Sequence, residues 1–566
     1  MSLRDSLGHS VDSVPVAPST DAGHGGDTEI FDVVIAGYGP TGVTCANLLG
    51  QAGLSVLVLE RNPDVFNRAR AVNLDVEAIR VASSLGLQDD VAKTIHQGVT
   101  LIFCDSAGGE MARIQSTHSA RGVLQSNFVH QPSFESVMRK GAMRFPTVLL
   151  DTDFEVVDLD NGADFVTIMG SRGQEIRARY LLGCDGASSV IRKKMGATYD
   201  GMSYDRKCLT VHGAMKRFDG TTADPDCGPL FGRGPHFRFV CDPVRPYAEI
   251  KLTGNEYRFE IEVSEDEDPS IFEDEANVWK LLNGFGIGPD DFEILHFWTF
   301  TFHVRKAKQW RMGRTFLLGD AAHVTLPTIG QGVSSGMRDA NNLAWKLIMV
   351  LRGSASADIL DTYYEERAPH VEEYNNMAKR VQALIQVRNP LAIRFRNAAL
   401  RAVSRAKIFQ TFINGAAFRQ VPIVNGVVAR RHAKDKSAGQ ILPEFEVFGP
   451  DGVKAPIDTF LGSGFVFIGL EVDPATALPD AVRKGWEPAN PRFLTLRVGR
   501  RSTDPGEISD PAGVLWDWFS ENDARVVCIR PDRYLYAAGH PDDAVFAAPT
   551  TLTVTSAESV VTNAAI

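Results

Sequence analysis

The chain has 566 residues, of which 44% are hydrophobic and 23% are charged, and its formal net charge is −11. A chain of this length exceeds one average core, so we expect it to divide into about three or four units. The acidic balance leaves no long basic field, which argues against a nucleic-acid or anionic-membrane partner and favours small-molecule partners.

The N-terminal segment and the cysteines together predict a cytoplasmic protein. Residues 1–28 are rich in Ser, Asp, Gly and Pro and lack the apolar stretch of a signal peptide, so we expect a disordered tail. The seven cysteines are widely spaced, with no CxxC or metal-ligand pattern, which predicts reduced thiols and no metal site. No apolar run approaches the ~20 residues that cross a bilayer.

The first predicted elements after the tail are a strand, a glycine turn, a helix and a second strand. Residues 31–36 form a β-branched run, and the second strand ends at Glu60, which is placed to accept hydrogen bonds from a ribose. Between them Gly37, Gly39 and Gly42 form GxGxxG, a pattern that permits a tight turn and close approach to a pyrophosphate at the helix N-terminus. A glycine turn that binds nothing is the alternative, but the complete βαβ context favours a dinucleotide.

Two further strand-to-helix junctions follow along the chain. The stretch 178–196 predicts a strand that ends near Asp185 and a following helix. Within 313–347 a strand ends at Asp320, and a GQG turn then opens a long helix whose free N–H groups suit a site where negative charge develops. Between these junctions, residues 206–294 contain alternating β-rich runs separated by Gly, Pro and Asp, so we expect a sheet that covers the site.

The three junctions resemble the GxGxxG, DG and GD motifs of the FAD-dependent aromatic hydroxylases, the single-component flavoprotein monooxygenases. Within that family the chain is most similar to the 3-(3-hydroxyphenyl)propionate hydroxylases, through CDPVRPY (241–247), YRFEIEVSEDED (257–268) and VVCIRPDRYLYAA (526–538). The resemblance implies an α/β fold with a Rossmann-like FAD-binding domain, a β-sheet substrate domain and a C-terminal thioredoxin-like domain. That last domain contains Cys528 alone and no CxxC, which excludes dithiol exchange.

The resemblance also suggests how the domains divide the chain. We expect a disordered tail over 1–28, a discontinuous FAD-binding domain over 29–205 and 295–375, a β-rich substrate domain over 206–294, a helical segment and linker over 376–439, and the thioredoxin-like domain over 440–566. The helical segment is expected to cap the core. Both a homodimer contact through this segment and a monomeric buttress remain open.

FAD is the expected cofactor, and NADH or NADPH is the expected transient electron donor. The FAD contacts that the resemblance implies are Gly37, Gly39, Gly42, Glu60, Arg61, Arg70, Gln131, Asp185, Gly319, Asp320, Gly330, Gly332 and Val333. Pro327 matches the family's proline whose carbonyl lies near the flavin and the oxygen site. Taken singly, Arg70 also fits a surface ion pair, and Gln131 and Asp185 also fit residues that begin a helix.

The implied reaction is the hydroxylation of a phenol. A nicotinamide reduces FAD, dioxygen adds to give a C4a-hydroperoxide, and the distal oxygen is transferred ortho or para to the phenolic hydroxyl. A base at that hydroxyl would activate the ring, and the candidates are His303, favoured because its segment leads into the GD strand, His212 and Tyr247. For either histidine the alternative is a packed structural residue. Arg245 or Arg258 would clamp a substrate carboxylate.

Three functions are weighed on these grounds. The leading hypothesis is a monooxygenase that hydroxylates a monocyclic phenolic compound resembling 3-(3-hydroxyphenyl)propionate, resorcinol or a hydroxybenzoate, with dioxygen, in aromatic catabolism. One alternative is a hydroxylase of a larger aromatic polyketide, which would need a wider pocket. The other is a flavin-binding redox sensor that does not hydroxylate, and substrate-stimulated NAD(P)H oxidation would distinguish it.

Overall fold

The computed structural model describes residues 30–64, 71–115, 126–216, 236–252, 255–264, 266–405, 421–432 and 435–552. The predicted tail over 1–28 and the predicted cofactor contact Arg70 lie outside these ranges. Within them, no helix is both long enough and apolar enough to cross a membrane.

The helices and strands have the following bounds. The strands are β1 Ile30–Ala36, β2 Val56–Glu60, β3 Asn73–Asp75, β4 Ile95–Gln97, β5 Thr100–Cys104, β6 Glu110–Gln115, β7 Ser126–Val129, β8 Val148–Thr152, β9 Val156–Asn161, β10 Val166–Gly170, β11 Glu175–Gly183, β12 Tyr199–Met215, β13 His236–Val240, β14 Tyr247–Lys251, β15 Glu256–Glu262, β16 Phe292–Ala307, β17 Arg311–Met312, β18 Thr315–Leu317, β19 His323–Val324, β20 Glu446–Phe448, β21 Lys454–Pro456, β22 Val466–Leu470, β23 Arg492–Val498, β24 Glu507–Asp510, β25 Val526–Ile529 and β26 Leu535–Gly539. The helices are α1 Pro40–Gln51, α2 Val76–Ser84, α3 Gln88–Ala92, α4 Gln131–Ala142, α5 Val190–Lys194, α6 Glu275–Gly284, α7 Gly332–Leu351, α8 Thr362–Ile385, α9 Pro390–Arg405, α10 Asp458–Leu461, α11 Pro474–Ala477, α12 Asp480–Trp486 and α13 Val514–Glu521.

The first sheet contains strands in the order β17-β18-β11-β1-β2-β8, of which β17 is antiparallel to its neighbour and the other five are parallel. β1 lies at its centre and pairs in parallel with β11 and β2, while β8 and β18 extend the parallel set on either side. Val33, Val34 and Ile35 are fully buried, because α1 and other helices cover the sheet and a β-branched run fits a strand covered on both faces. The carboxyl ends of the parallel strands meet at one edge, where ligands bind in such folds.

The second sheet has the order β19-β16-β12-β15-β14-β13-β5-β6 and two distinct faces. Its outer face carries Phe259 and Ile261, which lie in one core with Leu282 of α6. Its inner face carries Phe302 and Val304, which pack near Leu326, in the segment that follows the first sheet. The inner face is therefore the one that faces the parallel sheet, with residues alternating between the faces along each strand.

The extent of this second sheet differs from the predicted substrate domain. β5 and β6, residues 100–115, join it through β13, and β16 joins it through β12, although the prediction placed the substrate domain at 206–294. The β5–β13 pairing is parallel and links residues more than 130 positions apart. Such a pairing depends on tertiary packing and leaves no local signal in the sequence.

The C-terminal unit confirms the expected thioredoxin-like domain. β22, β23 and β24 are parallel, and β25 and β26 form an antiparallel hairpin on the far side of β22. One face of this sheet has its own core. The other face contributes Phe467, Trp486 and Tyr536 to the main core of the first sheet, and the rings of Trp345 on α7 and Phe465 lie 5.5 Å apart. The domain is therefore packed into the molecule through a continuous apolar contact.

Candidate active site

Of the three glycines in the turn after β1, Gly37 and Gly42 are closely packed, whereas Gly39 borders an open space. A Cβ added to Gly37 would stand 2.5 Å from the carbonyl oxygen of Cys184, and one added to Gly42 would stand 2.0 Å from the carbonyl oxygen of Gly37. At Gly39 no described atom lies within 4 Å of that position. α1 begins at Pro40 with no side-chain cap, so its first N–H groups face this space. This arrangement fits the pyrophosphate of a dinucleotide.

The contrast between these glycines gives a direct test of the pyrophosphate assignment. We expect Gly39→Ala to leave the unfolding of the apoprotein unchanged, because φ is −74° and the new methyl group meets no described atom. It should weaken FAD binding roughly 5- to 150-fold, since overpacking costs about 1–3 kcal/mol. Fluorescence titration of the apoprotein with FAD measures the change. Gly42→Ala is the contrasting variant and should destabilise the apoprotein itself, and wild-type affinity in Gly39→Ala would contradict the assignment.

Glu60 lies at the carboxyl end of β2, as predicted, and is held by backbone donors. Its Oε2 accepts from the N–H of Tyr38 at 2.8 Å, and its Oε1 accepts from the N–H of Asn62 at 2.9 Å. A cleft of about 340 Å³ opens beside it, lined by Arg61, Asn62 and Asp153 among others. The carboxylate is thus fixed by two backbone N–H groups, and the next residue along the chain, Arg61, lines the cleft.

Gln131 begins α4 and anchors the segment that follows Arg70. Its Oε1 accepts from the N–H of Ala71 at 2.6 Å, and its Nε2 donates to Glu135 at 2.7 Å. The side chain is 9% exposed. The amide therefore fixes the backbone of the Ala71 segment, which is a contact that the resemblance did not imply.

Asp185 follows β11 and is only partly satisfied. Its Oδ2 accepts from the N–H groups of Val190 and Ile191 at 2.7 and 3.1 Å, so it caps the start of α5. Its Oδ1 is buried and has no hydrogen-bond partner among the described residues. Burial raises the pKa of the Asp185 carboxyl. A buried oxygen left open beside the glycine turn fits a hydroxyl or N–H donor of a bound cofactor.

The GD turn after β18 is packed against the first glycine turn through Thr41. Gly319 has φ +57°, and a Cβ there would stand 2.5 Å from Thr41 Oγ1; one on Gly336 of α7 would stand 2.2 Å from the same atom. The N–H of Gly319 donates to Asp339 Oδ2 at 3.0 Å. The Asp320 side chain is exposed, and its backbone carbonyl accepts from the hydroxyl of Tyr199. The two motifs are thus brought together at one sheet edge.

Asp339 of α7 is a buried carboxylate with three hydrogen-bond partners, and the sequence motifs did not identify it. It accepts from His323 Nε2 at 2.6 Å and from Arg367 Nε at 2.8 Å, in addition to the N–H of Gly319. Burial acts to raise the pKa of Asp339, but His323 and Arg367 outweigh it and lower the pKa. His323 is therefore engaged in holding the GD turn in place.

A second turn immediately precedes α7. Pro327 opens a short 3-10 turn, and Gly330, with φ +62°, ends it and accepts from Asn73 Nδ2 through its carbonyl at 3.4 Å. α7 then begins at Gly332 with no side-chain cap, and Val333 is half-buried. A helix that starts without a cap leaves N–H donors and a partial positive charge, which suit the pyrimidine edge of a reduced flavin.

The inner face of the second sheet carries an aromatic and charged lining. His212 Nε2 lies 3.0 Å from Glu256 Oε2, and the side chain of His212 is 12% exposed. Arg258 is paired with Glu260 at 2.7 Å, and its guanidinium lies 5.5 Å from the ring centre of Trp298. Phe300 and Phe302 continue this lining with rings 5.1 Å apart, and Phe302 packs in the cluster beside Pro327.

Three predicted residues lie away from this lining. His303 is adjacent to Phe302 on β16 and so points to the opposite face of the sheet, the same face as Phe297 of the outer core. Burial, with a smaller contribution from Arg305, lowers the pKa of His303. Tyr247 belongs to the outer core, its ring is 4.7 Å from that of Phe285, and burial raises its pKa to about 12. Arg245 is paired with Glu267 at 2.6 Å. Of the three candidate bases, His212 alone is on the inner face.

Comparison with known proteins identifies the family of the chain. The model of the FAD binding domain family matches residues 30–378, and that of the HcaD C-terminal domain matches residues 439–552. The chain is 30% identical over 520 residues to the 3-(3-hydroxy-phenyl)propionate/3-hydroxycinnamic acid hydroxylase of Burkholderia cenocepacia, covering 89% of this chain and 93% of the relative. It is 31% identical over 518 residues to the protein of the same name from Mycobacterium sp. strain JLS, covering 90% and 89%.

A solved structure shows that the fold is shared over nearly the whole chain. Aklavinone-11 hydroxylase, in a ternary complex with FAD and aklavinone, has a TM-score of 0.73 at 21% identity, covering 92% of this chain and 99% of that one. The family match covers more than half of the 566 residues and includes the glycine turn, Asp185 and the GD turn. The chain therefore belongs to the FAD binding domain family and is an FAD-dependent aromatic hydroxylase.

Proposed function

We propose that the protein is an NAD(P)H-dependent FAD monooxygenase that hydroxylates a monocyclic phenolic compound in aromatic catabolism. The observation that supports this most is the similarity, over about nine-tenths of both chains, to relatives named for 3-(3-hydroxyphenyl)propionate and 3-hydroxycinnamic acid. The aromatic lining of the inner face, with Trp298 and Phe302, suits a planar ring held against a flavin. We expect the protein to act in the cytoplasm, and a homodimer is consistent with this function.

The bound cofactor supplies the activation of dioxygen, using electrons from NADH or NADPH. In this proposal the space beside Gly39 holds the pyrophosphate, Glu60 holds a ribose, and Asp320 lies on the ribityl side. The start of α7 at Gly332 and Val333 faces the pyrimidine edge, and its N–H groups stabilise negative charge there. Pro327 borders the side where the substrate ring and dioxygen meet.

His212 is the residue we propose to accept the phenolic proton. Deprotonation of the phenol enriches the ring carbons ortho and para to its oxygen and makes them better nucleophiles. Glu256 engages Nε2 of His212 at 3.0 Å, and a hydrogen donated from Nε2 leaves Nδ1 with a lone pair for the substrate hydroxyl. Glu256 would fix this tautomer and stabilise the imidazolium that forms when the proton arrives.

The ion pairs of Arg258 and Arg245 indicate which second substituent the substrate carries. Arg258 is already paired with Glu260, and Arg245 with Glu267, each at 2.6–2.7 Å. A substrate carboxylate would have to exchange with one of these carboxylates, whereas a hydroxyl or another neutral group would not. We therefore expect neutral phenols such as resorcinol to be accepted at least as well as hydroxybenzoates.

The proposal is tested by substrate-stimulated turnover. The purified, FAD-loaded protein is supplied with NADH or NADPH and with resorcinol, 3-(3-hydroxyphenyl)propionate or hydroxybenzoates, and both nucleotide oxidation and product mass are followed. We expect one monocyclic phenol to accelerate oxidation and to give a product one oxygen atom heavier. If only polycyclic phenols do so, the larger polyketide is the substrate class. If FAD binds but no phenol has an effect, the redox-sensor hypothesis replaces hydroxylation.

A further inference from the structure

One buried tyrosine of the C-terminal domain contacts helix α2 of the FAD-binding domain. Tyr534 lies between β25 and β26, and its hydroxyl donates to Glu77 Oε1 of α2 at 3.0 Å. Tyr534 and Glu77 are 6% and 4% exposed. Burial raises the pKa of Tyr534 well above its usual value, so its hydroxyl keeps its proton and remains a donor. A residue of the last domain thus fixes a carboxylate of the FAD-binding domain.

Glu77 is joined in turn to the turn that opens α7. Its Oε2 accepts from Arg338 Nε, and Arg338 Nη1 donates to the side-chain oxygen of Gln331 at 3.1 Å. Gln331 is the N-cap residue of α7 and immediately precedes Gly332. Three side-chain contacts therefore connect Tyr534 to the GQG turn at the start of α7, which the proposed function assigns to the pyrimidine edge of the flavin.

The charges along this path are fixed by their neighbours. Burial acts to lower the pKa of Arg338, but the adjacent carboxylates of Asp75 and Glu77 raise it well above its usual value. Asp75 also accepts from Arg338 Nη2, so the guanidinium is held between two carboxylates and Gln331. Removing the Tyr534 hydroxyl would leave Glu77 Oε1 buried without its donor, and such a group is costly unless its neighbours move. The Arg338 guanidinium is bonded to the other oxygen of the same carboxylate, so it would respond to such a movement.

We propose that Tyr534 is a positioning residue for the flavin, acting through Glu77 and Arg338 on the Gln331 turn. The orientation of the first N–H groups of α7 then depends on a hydroxyl that belongs to the C-terminal domain. The domain lacks CxxC and the chemistry of a thioredoxin, so this contact gives it a role in cofactor binding. The inference depends on FAD binding and is independent of which phenol is hydroxylated.

The test compares two tyrosines of the same hairpin. Tyr534→Phe removes the hydroxyl that reaches Glu77, whereas Tyr536→Phe removes one that donates to the carbonyl of Ala547 within the C-terminal domain. Each apoprotein is titrated with FAD, and the flavin reduction potential and visible spectrum are recorded. We expect Tyr534→Phe to raise the dissociation constant of FAD about two- to tenfold and to shift the potential, with Tyr536→Phe near wild type.

A double-mutant cycle with Gln331→Ala tests the path itself. If Tyr534 acts through the Gln331 turn, the two substitutions together weaken FAD binding by less than the product of their separate effects. Multiplicative effects, or equal losses in Tyr534→Phe and Tyr536→Phe, would overturn the proposal and indicate general destabilisation. Unchanged FAD affinity and potential in Tyr534→Phe would overturn it as well. None of these outcomes depends on turnover, so they are separable from a failure of the proposed substrate.

Discussion

Replacing His212 with asparagine is expected to lower the rate of product formation by about 10²- to 10⁴-fold, the range associated with losing a positioned general base. Asparagine keeps a polar side chain of similar size but cannot accept a proton. FAD binding should be unaffected, because His212 lies on β12 of the second sheet, whereas the glycine and GD turns follow β1 and β18 of the first sheet. Nucleotide oxidation with the phenol present should continue and release hydrogen peroxide in place of hydroxylated product.

Peroxide and product yields, measured together, distinguish this role from a general loss of structure. A more acidic phenol, such as a fluorinated analogue, needs less help from a base and should recover part of the lost rate in His212→Asn. His303→Asn is the matched control, because His303 lies on the same sheet but has the parity of its outer face. Product formation at the wild-type rate in His212→Asn, or an equal loss in His303→Asn, would rule out His212 as the base.

These two histidines show that the sequence does not predict which face of the sheet a strand residue occupies. Both lie in alternating runs, so the pattern predicts strands but leaves open which face points inward. The pairing of β12 with β16 contains register shifts between Ser203 and Lys207 and between His212 and Gly213. An irregularity of this kind interrupts the alternation, and its position depends on the partner strand. The faces of His212 and His303 therefore follow only from the assembled sheet.

The cofactor motifs were more accessible because each is local. A βαβ unit of about 30 residues contains all of the local signals: a glycine that must avoid a neighbouring carbonyl, an acid at a strand end and a helix without a cap. The turns and strand ends that carry Gly37, Glu60 and Asp185 were predicted for this reason, and the structure places all three at the carboxyl edge of the parallel sheet. Arg70 lies outside the described residues, and its role remains a prediction.

The buried charges of α7 and its neighbours were missed, although the sequence contained a sign of them. GMRDANNLAWKL places Arg338, Asp339 and Lys346 in a helix that is otherwise apolar on its core side, and all three are at most 5% exposed. A charged residue at such a position needs a partner. Its identity cannot be read locally, because Arg530, for example, bonds Glu366 across 164 positions of the chain.

Arg530 of that pair is fully buried between the two domains that it joins. It donates to both oxygens of Glu366 at 3.0 and 2.8 Å and to both oxygens of Asp532 at 3.0 and 2.6 Å. Arg530→Met would leave the buried carboxylates of Glu366 and Asp532 without this guanidinium, and Lys346, 3.0 Å from Glu366, would be their one remaining ion-pair partner among the described residues. We expect the apparent free energy of unfolding, measured with urea on the apoprotein, to fall by about 3–5 kcal/mol.

Lys346→Met is the matched control for this loss. Burial lowers the pKa of Lys346 to about 8, so its ammonium is unfavourably placed, and Glu366 keeps both Arg530 contacts without it. The control should therefore be destabilised much less than Arg530→Met. Equal losses in the two variants would mean that the cluster responds to any change in volume, and that the Arg530 contacts have no special weight.

The acid side of the stability profile adds an independent readout of the same contact. Burial acts to raise the pKa of Glu366, but Arg530 and Lys346 outweigh it and hold it at about 2. A depressed carboxyl pKa stabilises the fold above the unfolded value of 4.5, and this contribution is lost as the pH falls toward 2. Without Arg530 the pKa of Glu366 rises toward or above its unfolded value, so this contribution is missing at neutral pH and a proton taken up at acid pH relieves the buried charge. The destabilisation of Arg530→Met relative to the native protein, read from urea midpoints, should therefore be smaller at about pH 5 than at about pH 7, whereas equal destabilisation at both would show that Arg530 does not set the ionisation of Glu366.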